Sequence, residues 1–477
     1  MTWLSARWIT AWFALLFVMA LCAGGGLVRA SEGAKPQVPS TSGPTPSPPV
    51  ALKAGATNLV GHGGPIKAVA TNAARTRALT GSFDYAMMLW DISGKRPRLL
   101  HRFDAHEGAV NAVAFAPDGR AVLAAGDDGK LWLWDARTFK LRHAFTGHAA
   151  KVNALSLSAD GKRAVTASWD GTARLWDLVN LRAGPVLRGH RGTVNAVAFS
   201  KDGAFVMTAG SDGEVKRWRA SDGAAQAPLM RNGWGVNVLA RLPGSDRLVW
   251  GGVNGASGII DGATGQALQT WETVKRPVLA AAVIAKPGLI AIGAGDGSIR
   301  IRRADDGALL EHYINPVGPI WALAFAKGGR ALYFGSLDDF ATRWQVAPRK
   351  SFEPVSGQFP RRFQKRESAD LGARQFARKC SVCHTLKADG RNRAGPTLYR
   401  IFGRKAGTLP GYPYSPALLN ADIVWSADTI GKLFALGPDH YTPGSKMPLQ
   451  KISDKAQRDA LIAYLKRVSG PPVKNGR

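Results

Sequence analysis

Two cysteines and a histidine lie close together in the stretch KCSVCHTL, residues 379–386. Cys380 and Cys383 are two of only three cysteines in the 477-residue chain, and His384 follows directly. With this spacing, two thiols can add across the vinyl groups of a haem while the adjacent imidazole reaches the iron. The stretch therefore predicts covalent attachment of a c-type haem, with His384 as a ligand of its iron.

Other chemistries also use closely spaced cysteines. A structural zinc site needs two more ligands, and no cysteine follows Cys383. A redox-active Cys-x-x-Cys is typical of a thioredoxin-like βαβ unit, whereas the flanking residues have the periodicity of helices. A chance occurrence of the spacing also stays open. Met447 is the next candidate ligand, because it is the only methionine after Met230 and a thioether paired with an imidazole favours reduced iron.

Several short motifs around this stretch occur in the order of a known family. They are GPTLYRIFGRKAGTLPGYPYS from residue 395, Trp425, YTPGSKMP from residue 441 and LIAYLK from residue 461. On these motifs, residues 367–470 resemble a mitochondrial-type class I cytochrome c. The resemblance implies an all-α domain that carries single electrons through one covalent haem c, with His384 as proximal and Met447 as distal iron ligand. It also implies a crossing of the first and last helices at Gly372, Phe376, Leu461 and Tyr464.

The same resemblance assigns four further residues to the haem site. It implies that the backbone carbonyl of Pro396 accepts a hydrogen bond from the other ring nitrogen of His384 and so fixes the ring. Arg404, Tyr414 and Trp425 match family positions that neutralise or hydrogen-bond the haem propionates. Core packing is the alternative role for the two aromatic residues.

The sequence also departs from the family near the iron. One extra residue lies between Trp425 and Met447, so the alignment there is ambiguous by one position. Leu418 stands where a polar residue is common, and the family's usual tyrosine near Met447 is not evident. His440, the other imidazole of this segment, is expected to be exposed rather than a ligand.

A repeat occupies residues 51–346. Trp-Asp pairs end three copies, at residues 90, 134 and 176, and the same step leads to residues 218, 260, 302 and 344. A Gly-His or Ala-His marker in the first four copies keeps the same period of 42 to 44 residues, and the step continues through seven copies. Each copy has the pattern of short strands separated by turn residues such as SADG and SDG.

These copies resemble WD repeats, and seven of them imply an all-β, seven-bladed propeller. The segment AGATNLVGH, residues 54–62, aligns with the last strand of a copy and is predicted to close the ring by completing blade seven. The family has a hydrogen-bonded His–Ser–Asp–Trp set, which the resemblance places in copy one at His62, Ser82, Asp84 and Trp90. In copies two and four, a glycine stands at the serine position of this set.

Segments of other composition flank the two domains. Residues 1–30 have the pattern of an export signal, with an apolar run before a Val28-Arg29-Ala30 cleavage site, and an uncleaved membrane anchor is the alternative. A Pro-rich linker covers residues 31–50, a basic linker covers 347–366 and a short tail covers 471–477. Because covalent haem attachment takes place on the exported side, we expect a periplasmic protein, or one anchored to the periplasmic face of the inner membrane.

The chain is strongly basic, with a net charge of +29. Such a charge suits nucleic acid, anionic membranes or acidic proteins. No nucleic-acid-binding motif accompanies it, so we expect no nucleic acid partner, and membrane contact only if residues 1–30 are retained. Residues 361–477 hold 22 Lys and Arg against 8 Asp and Glu, a net +14, which favours acidic redox partner proteins. A solubilising surface without a specific partner is the alternative.

The sequence therefore predicts an electron-transfer protein rather than an enzyme, with a propeller that binds an unknown protein partner. Two other functions stay open. A redox enzyme would hold a second cofactor in the propeller, but the histidines of the first four copies recur at one structural position instead of converging. A haem-based sensor would exchange Met447 for a gas ligand.

Overall fold

The structure is a computed structural model. It describes residues 57–316, 318–347, 370–381, 383–386, 388, 395–412, 414–443, 445, 447 and 451–471. The predicted export signal, both predicted linkers except residue 347, and the tail beyond residue 471 lie outside the described residues. Among the described residues, no helix is both long and apolar enough to cross a membrane.

Seven four-stranded antiparallel sheets make up the repeat region of the described chain, as the repeat period predicts. Within each of blades one to six the strands follow one another in chain order, because Gly and Asp turn residues return the chain directly into the neighbouring strand. The strands of blades one to three are β2 (Ile66–Thr71), β3 (Arg77–Ser82), β4 (Met87–Asp91), β5 (Arg98–Phe103), β6 (Val110–Phe115), β7 (Ala121–Gly126), β8 (Leu131–Asp135), β9 (Leu141–Phe145), β10 (Val152–Leu157), β11 (Arg163–Ser168), β12 (Thr172–Asp177) and β13 (Arg182–Arg188). Those of blades four to six are β14 (Val194–Phe199), β15 (Phe205–Gly210), β16 (Glu214–Arg219), β17 (Met230–Arg231), β18 (Val236–Arg241), β19 (Arg247–Gly252), β20 (Ser257–Asp261), β21 (Ala267–Trp271), β22 (Val278–Ile284), β23 (Leu289–Ala294), β24 (Ser298–Arg303) and β25 (Leu309–Ile314).

Blade seven joins the two ends of the repeat region. The short strand β1 (Leu59–Val60) pairs antiparallel with β28 (Phe340–Gln345), and β27 (Ala331–Gly335) and β26 (Ala322–Phe325) complete the sheet. The prediction that residues 54–62 close the ring is confirmed for the described strand. The two ends of the repeat region are thereby joined within one sheet.

Apolar side chains of adjacent blades pack face to face. Leu79 and Leu89 of blade one lie in one buried cluster with Val122 and Trp134 of blade two. Similar clusters join the other neighbouring blades. Because strands in such an arrangement are buried on both faces, they are nearly continuous in apolar and small residues.

A buried hydrogen-bond chain ties the strands of blade one together. His62 Nδ1 lies 3.0 Å from the Asp84 carboxylate, and His62 Nε2 lies 2.7 Å from Thr80 Oγ1. Trp90 Nε1 donates to the same Thr80 hydroxyl at 2.9 Å. The prediction was wrong about Ser82, whose hydroxyl donates to the Gly64 carbonyl instead. Thr80 is the linking residue because side chains two residues apart on a strand share a face, and only the hydroxyl at position 80 lies between the two rings.

The same correction changes the expectation for blades two and four. In blade four, Thr208 accepts from Trp218 Nε1 at 2.8 Å and lies 2.7 Å from His190 Nε2, so the chain is complete despite Gly210. In blade two, the residue at the threonine position is Ala124. His106 Nε2 is buried there, without a hydrogen-bond partner among the described residues.

Five helices form the described part of the C-terminal domain. Asp370 caps α1 by accepting from two backbone N–H groups, and Ser426 caps α3. The carboxylate of Asp454 caps α5 by accepting from the Gln457 N–H. The helices are α1 (Leu371–Lys379), α2 (Pro416–Leu419), α3 (Ala427–Leu436), α4 (Pro438–Tyr441) and α5 (Lys455–Val468).

The first and last of these helices cross at the predicted residues. A β-carbon on Gly372 would lie 2.6 Å from Tyr464 Cβ and closer still to the Ala460 carbonyl, so only glycine permits this approach. Phe376 and Tyr464 pack with ring centroids 5.7 Å apart, and Leu461 is fully buried. The crossing fixes the C-terminal end of α1, which is where the Cys-x-x-Cys-His stretch begins.

Candidate haem site

A single cavity brings together the residues that the sequence singled out. It encloses about 1030 Å³ of space, including its open mouth. All eight predicted site residues lie in its wall: Cys380, Cys383, His384, Pro396, Arg404, Tyr414, Trp425 and Met447.

The two cysteines lie in a tight turn at the end of α1. Cys380 ends the helix by donating its N–H to the Phe376 carbonyl, and the N–H groups of Cys383 and His384 both bond back to the Cys380 carbonyl. This turn directs both thiols and the imidazole into one cavity. Neither thiol forms a disulfide. Burial raises the pKa of Cys380 to about 12, so it is a neutral thiol at ordinary pH.

The His384 ring is held from two sides. Its Nδ1 lies 2.7 Å from the Pro396 carbonyl oxygen, so Nδ1 carries the donated proton and Nε2 carries the lone pair that a metal can use. A β-carbon on Gly395 would lie 2.6 Å from Nδ1 and 2.7 Å from Nε2. The bare backbone of Gly395 therefore packs directly on the ring, and Gly395 is a site residue that the sequence interpretation missed.

Met447 lies in the wall of the same cavity, together with Thr442 and Ser445. These two hydroxyls lie 3.1 Å from each other, and Thr442 is buried. Neither hydroxyl was predicted as part of the site. His440 is exposed, as expected.

Arg404 and Trp425 lie next to each other through backbone pairing. The Trp425 N–H donates to the Arg404 carbonyl at 2.9 Å, and Gly403 donates to the Trp425 carbonyl at the same distance. The Arg404 guanidinium donates to the carbonyls of Thr397 and Tyr399 at 2.7 and 3.2 Å, and burial lowers its pKa. These bonds hold a cation at the cavity wall, where it can neutralise an anionic group of a ligand.

Two tyrosines of the C-terminal domain add phenols to the wall. Tyr414 was predicted, whereas Tyr412 was not. Their rings meet edge to face with centroids 4.7 Å apart. Burial raises the pKa of both phenols, so they stay neutral hydrogen-bond donors at ordinary pH. A further phenol in the wall, that of Tyr85, comes from blade one of the propeller.

The rest of the wall is apolar and suits a flat hydrophobic group such as a porphyrin. Ile430, Leu433 and Phe434 present one face of α3 to the cavity, and Leu418 lines it as well. An imidazole and a thioether are suitable ligands for haem iron. Two thiols in one wall suit addition to vinyl groups. The residues present therefore fit a covalently attached haem.

The comparisons with known proteins agree with this chemistry. Residues 369–469 match the family model "Cytochrome c", and residues 97–135, 139–177 and 184–219 match "WD domain, G-beta repeat". A cytochrome c of Gibberella zeae is 40% identical over 95 residues, which is 20% of this chain and 89% of the relative. Those of Euglena viridis (42% over 98 residues, 94% of the relative) and Sesamum indicum (39% over 98 residues, 87% of the relative) each cover 20% of this chain. The chain therefore belongs to the cytochrome c family, and it joins a haem c domain to a seven-bladed WD-repeat propeller.

Proposed function

We propose that this protein is an exported carrier of single electrons, in which His384 and Met447 bind the haem iron. The observation that carries the proposal is the placement of Cys380, Cys383, His384 and Met447 in the wall of one cavity. When bound, the haem supplies an iron that alternates between the ferrous and ferric states. The chain would supply the thiols, the imidazole of His384 and the thioether of Met447 as iron ligands, and a largely apolar enclosure.

Each residue of the site has a separate task. The Pro396 carbonyl fixes the tautomer of His384, so the nitrogen that faces the cavity is the one with the lone pair. Arg404 and the hydroxyls of Tyr412 and Tyr414 would bind the haem propionates. Apolar residues of α3 exclude water, which favours the reduced iron because it carries less net charge.

Covalent attachment is tested by a denaturing gel stained for haem, with protein from a host that has a cytochrome c maturation system. The wild type should retain haem, and Cys380→Ser with Cys383→Ser should lose it. Cys22→Ser is the matched control, because Cys22 lies in the predicted export signal and should not affect haem retention. Haem that washes out of the wild type under denaturing conditions would refute the proposal.

The partners that we propose are acidic redox proteins for the haem domain and a protein ligand for the propeller. The net charge of +14 on residues 361–477 supports the first, since opposite charge accelerates encounter. Lys446, next to Met447 in sequence, lies outside the described residues. Electron transfer to an acidic partner should slow with rising salt and in Lys446→Glu, without a change in the haem spectrum. A rate insensitive to both would leave the basic charge with a solubilising role.

Export is the remaining element of the proposal. It rests on the pattern of residues 1–30 and on the exported side as the place of haem attachment. Cell fractionation, with mass determination of the mature N-terminus, distinguishes a periplasmic protein cleaved near Ala30 from one anchored to the inner membrane. Recovery of the holoprotein in the cytoplasm would contradict export.

A further inference from the structure

One turn recurs in blades one to six of the propeller, between the second and third strands. Its third residue is Asp84 in blade one and an Asp or Asn in all the others. The fourth residue is glycine in five blades, with φ between 71° and 87°, where a β-carbon is disfavoured. Those glycines are Gly129, Gly171, Gly213, Gly255 and Gly297.

Blade one has Tyr85 at this glycine position. Its φ is 67°, and its N–H donates to the Ser82 carbonyl, as the Gly171 N–H does to the Ser168 carbonyl in blade three. The turn is therefore the same, and the bulky residue adopts the conformation that favours glycine. A bulky residue with positive φ persists where the surrounding structure holds it, and such outliers concentrate at functional sites.

The side chain of Tyr85 is buried in the wall of the haem cavity. It is 9% exposed, and it lines the cavity together with Cys383 and Tyr412 of the haem domain. Burial raises the pKa of its phenol well above the ordinary value, and the nearby Cys383 and Tyr412 raise it further. Asp84 is near enough to Tyr412 to contribute to the raised pKa of that phenol as well.

The turn that carries Tyr85 is rigidly held. The Asp84 carboxylate accepts from Gly63 N–H at 2.8 Å and Arg102 Nη1 at 3.1 Å, and it lies 3.0 Å from His62 Nδ1. The hydrogen-bonded set of blade one thus fixes the backbone immediately before Tyr85. The propeller thereby presents this phenol in a fixed direction.

We propose that Tyr85 is a positioning residue of the haem site, by which the propeller closes part of the cavity and sets the solvent exposure of the haem. This inference rests on the proposed haem function and deepens it. A tyrosine in place of glycine costs the propeller favourable backbone geometry. The tyrosine benefits the haem domain instead. Its ring excludes water from the cavity, which favours reduced iron, and it limits the access of small reductants to the haem from that side.

The test compares full-length holoproteins carrying Tyr85→Gly, Tyr85→Phe and Leu181→Gly. The Tyr85→Gly change installs the residue that five other blades use, so the propeller should fold and unfold at the same or a higher temperature. The midpoint potential of the haem should fall, and its reduction by ascorbate should accelerate severalfold. Tyr85→Phe keeps the ring, so its potential and ascorbate rate should stay close to the wild type.

Leu181→Gly is the control, because it relieves the same kind of backbone strain at a position away from the cavity. Leu181 also has a positive φ, 55°, but it lies in a turn of blade three, outside the cavity wall. It should leave the potential and the ascorbate rate unchanged. If Tyr85→Gly lowers propeller stability and leaves both haem measurements unchanged, Tyr85 is a packing residue of the propeller alone and the inference is overturned. That result differs from failure of the proposed function, in which the wild type itself would lack covalently bound haem.

Discussion

Replacement of Gly395 by alanine tests the geometry of the haem site most directly. Gly395 is not among the described glycines with positive φ, so its backbone accepts an alanine. The new β-carbon would lie 2.6 Å from His384 Nδ1, whereas ordinary contacts between heavy atoms need about 3.5 Å. The ring must therefore move by close to 1 Å, which breaks the 2.7 Å bond from Nδ1 to the Pro396 carbonyl.

The cost can be estimated from these two effects. Overpacking of a tight site costs about 1–3 kcal/mol, and loss of the buried hydrogen bond costs about 1–2 kcal/mol more. We therefore expect Gly395→Ala to lower the free energy of unfolding of the haem domain by about 2–5 kcal/mol. The midpoint potential should fall too, because the displaced imidazole binds iron without its orienting carbonyl.

The measurement is urea unfolding of the full-length holoprotein, followed by haem absorption so that only the haem domain contributes. Gly431→Ala in α3 is the matched control. Its β-carbon would meet Ile462 at 3.6 Å, an ordinary contact, and alanine in a helix gains up to about 1 kcal/mol over glycine. Gly395→Ala with unchanged stability and potential would show that Gly395 does not pack on the His384 ring, and the described site would be wrong there.

Three further predictions concern the ligand, the propeller and pH. Met447→Ala should lose the weak sulfur-to-iron band of the oxidised protein and lower the potential, since a harder ligand replaces the thioether; an unchanged spectrum would point to another ligand. Thr166→Val should destabilise the propeller by about 2–4 kcal/mol, because the Trp176 N–H donor and the His148 Nε2 acceptor both lose their partner, whereas Ala124→Thr should stabilise it by about 1 kcal/mol by giving His106 a partner. Burial lowers the pKa of His148, so propeller stability should be full above the ordinary pKa of about 6.5 and fall as pH drops below it; thermal unfolding scans from pH 7 to 5 check this.

The overall fold was predictable because its signals are periodic. A step of 42 residues fixes the number of blades, and the alignment of residues 54–62 with a last strand fixes the closure of the ring. The hydroxyl of the hydrogen-bonded set was assigned wrongly because motif matching placed it at Ser82. Strand alternation alone does not separate Ser82 from Thr80, since both point to the same face. Only the positions of His62 and Trp90 show which hydroxyl lies between them.

The haem site was predictable where its residues have a distinctive type. Cys380, Cys383 and His384 form one local motif, and Met447 is unique in its segment. Gly395 and Tyr412 were missed because their contribution is spatial. A glycine that packs on a ring and a second tyrosine beside Tyr414 have no spacing rule of their own.

Tyr85 could have been found in the sequence, although by a different comparison. Aligning the blades with one another shows glycine at the same turn position in five of them and tyrosine in blade one. The exchange costs the propeller favourable backbone geometry, because φ is positive and glycine fits the turn. Where a residue breaks a local rule that its own repeats obey, the compensation lies outside the repeat. Here the phenol lines one cavity together with Cys383 and Tyr412, so this departure of the propeller from its own pattern lies where the propeller and the haem domain share a cavity wall.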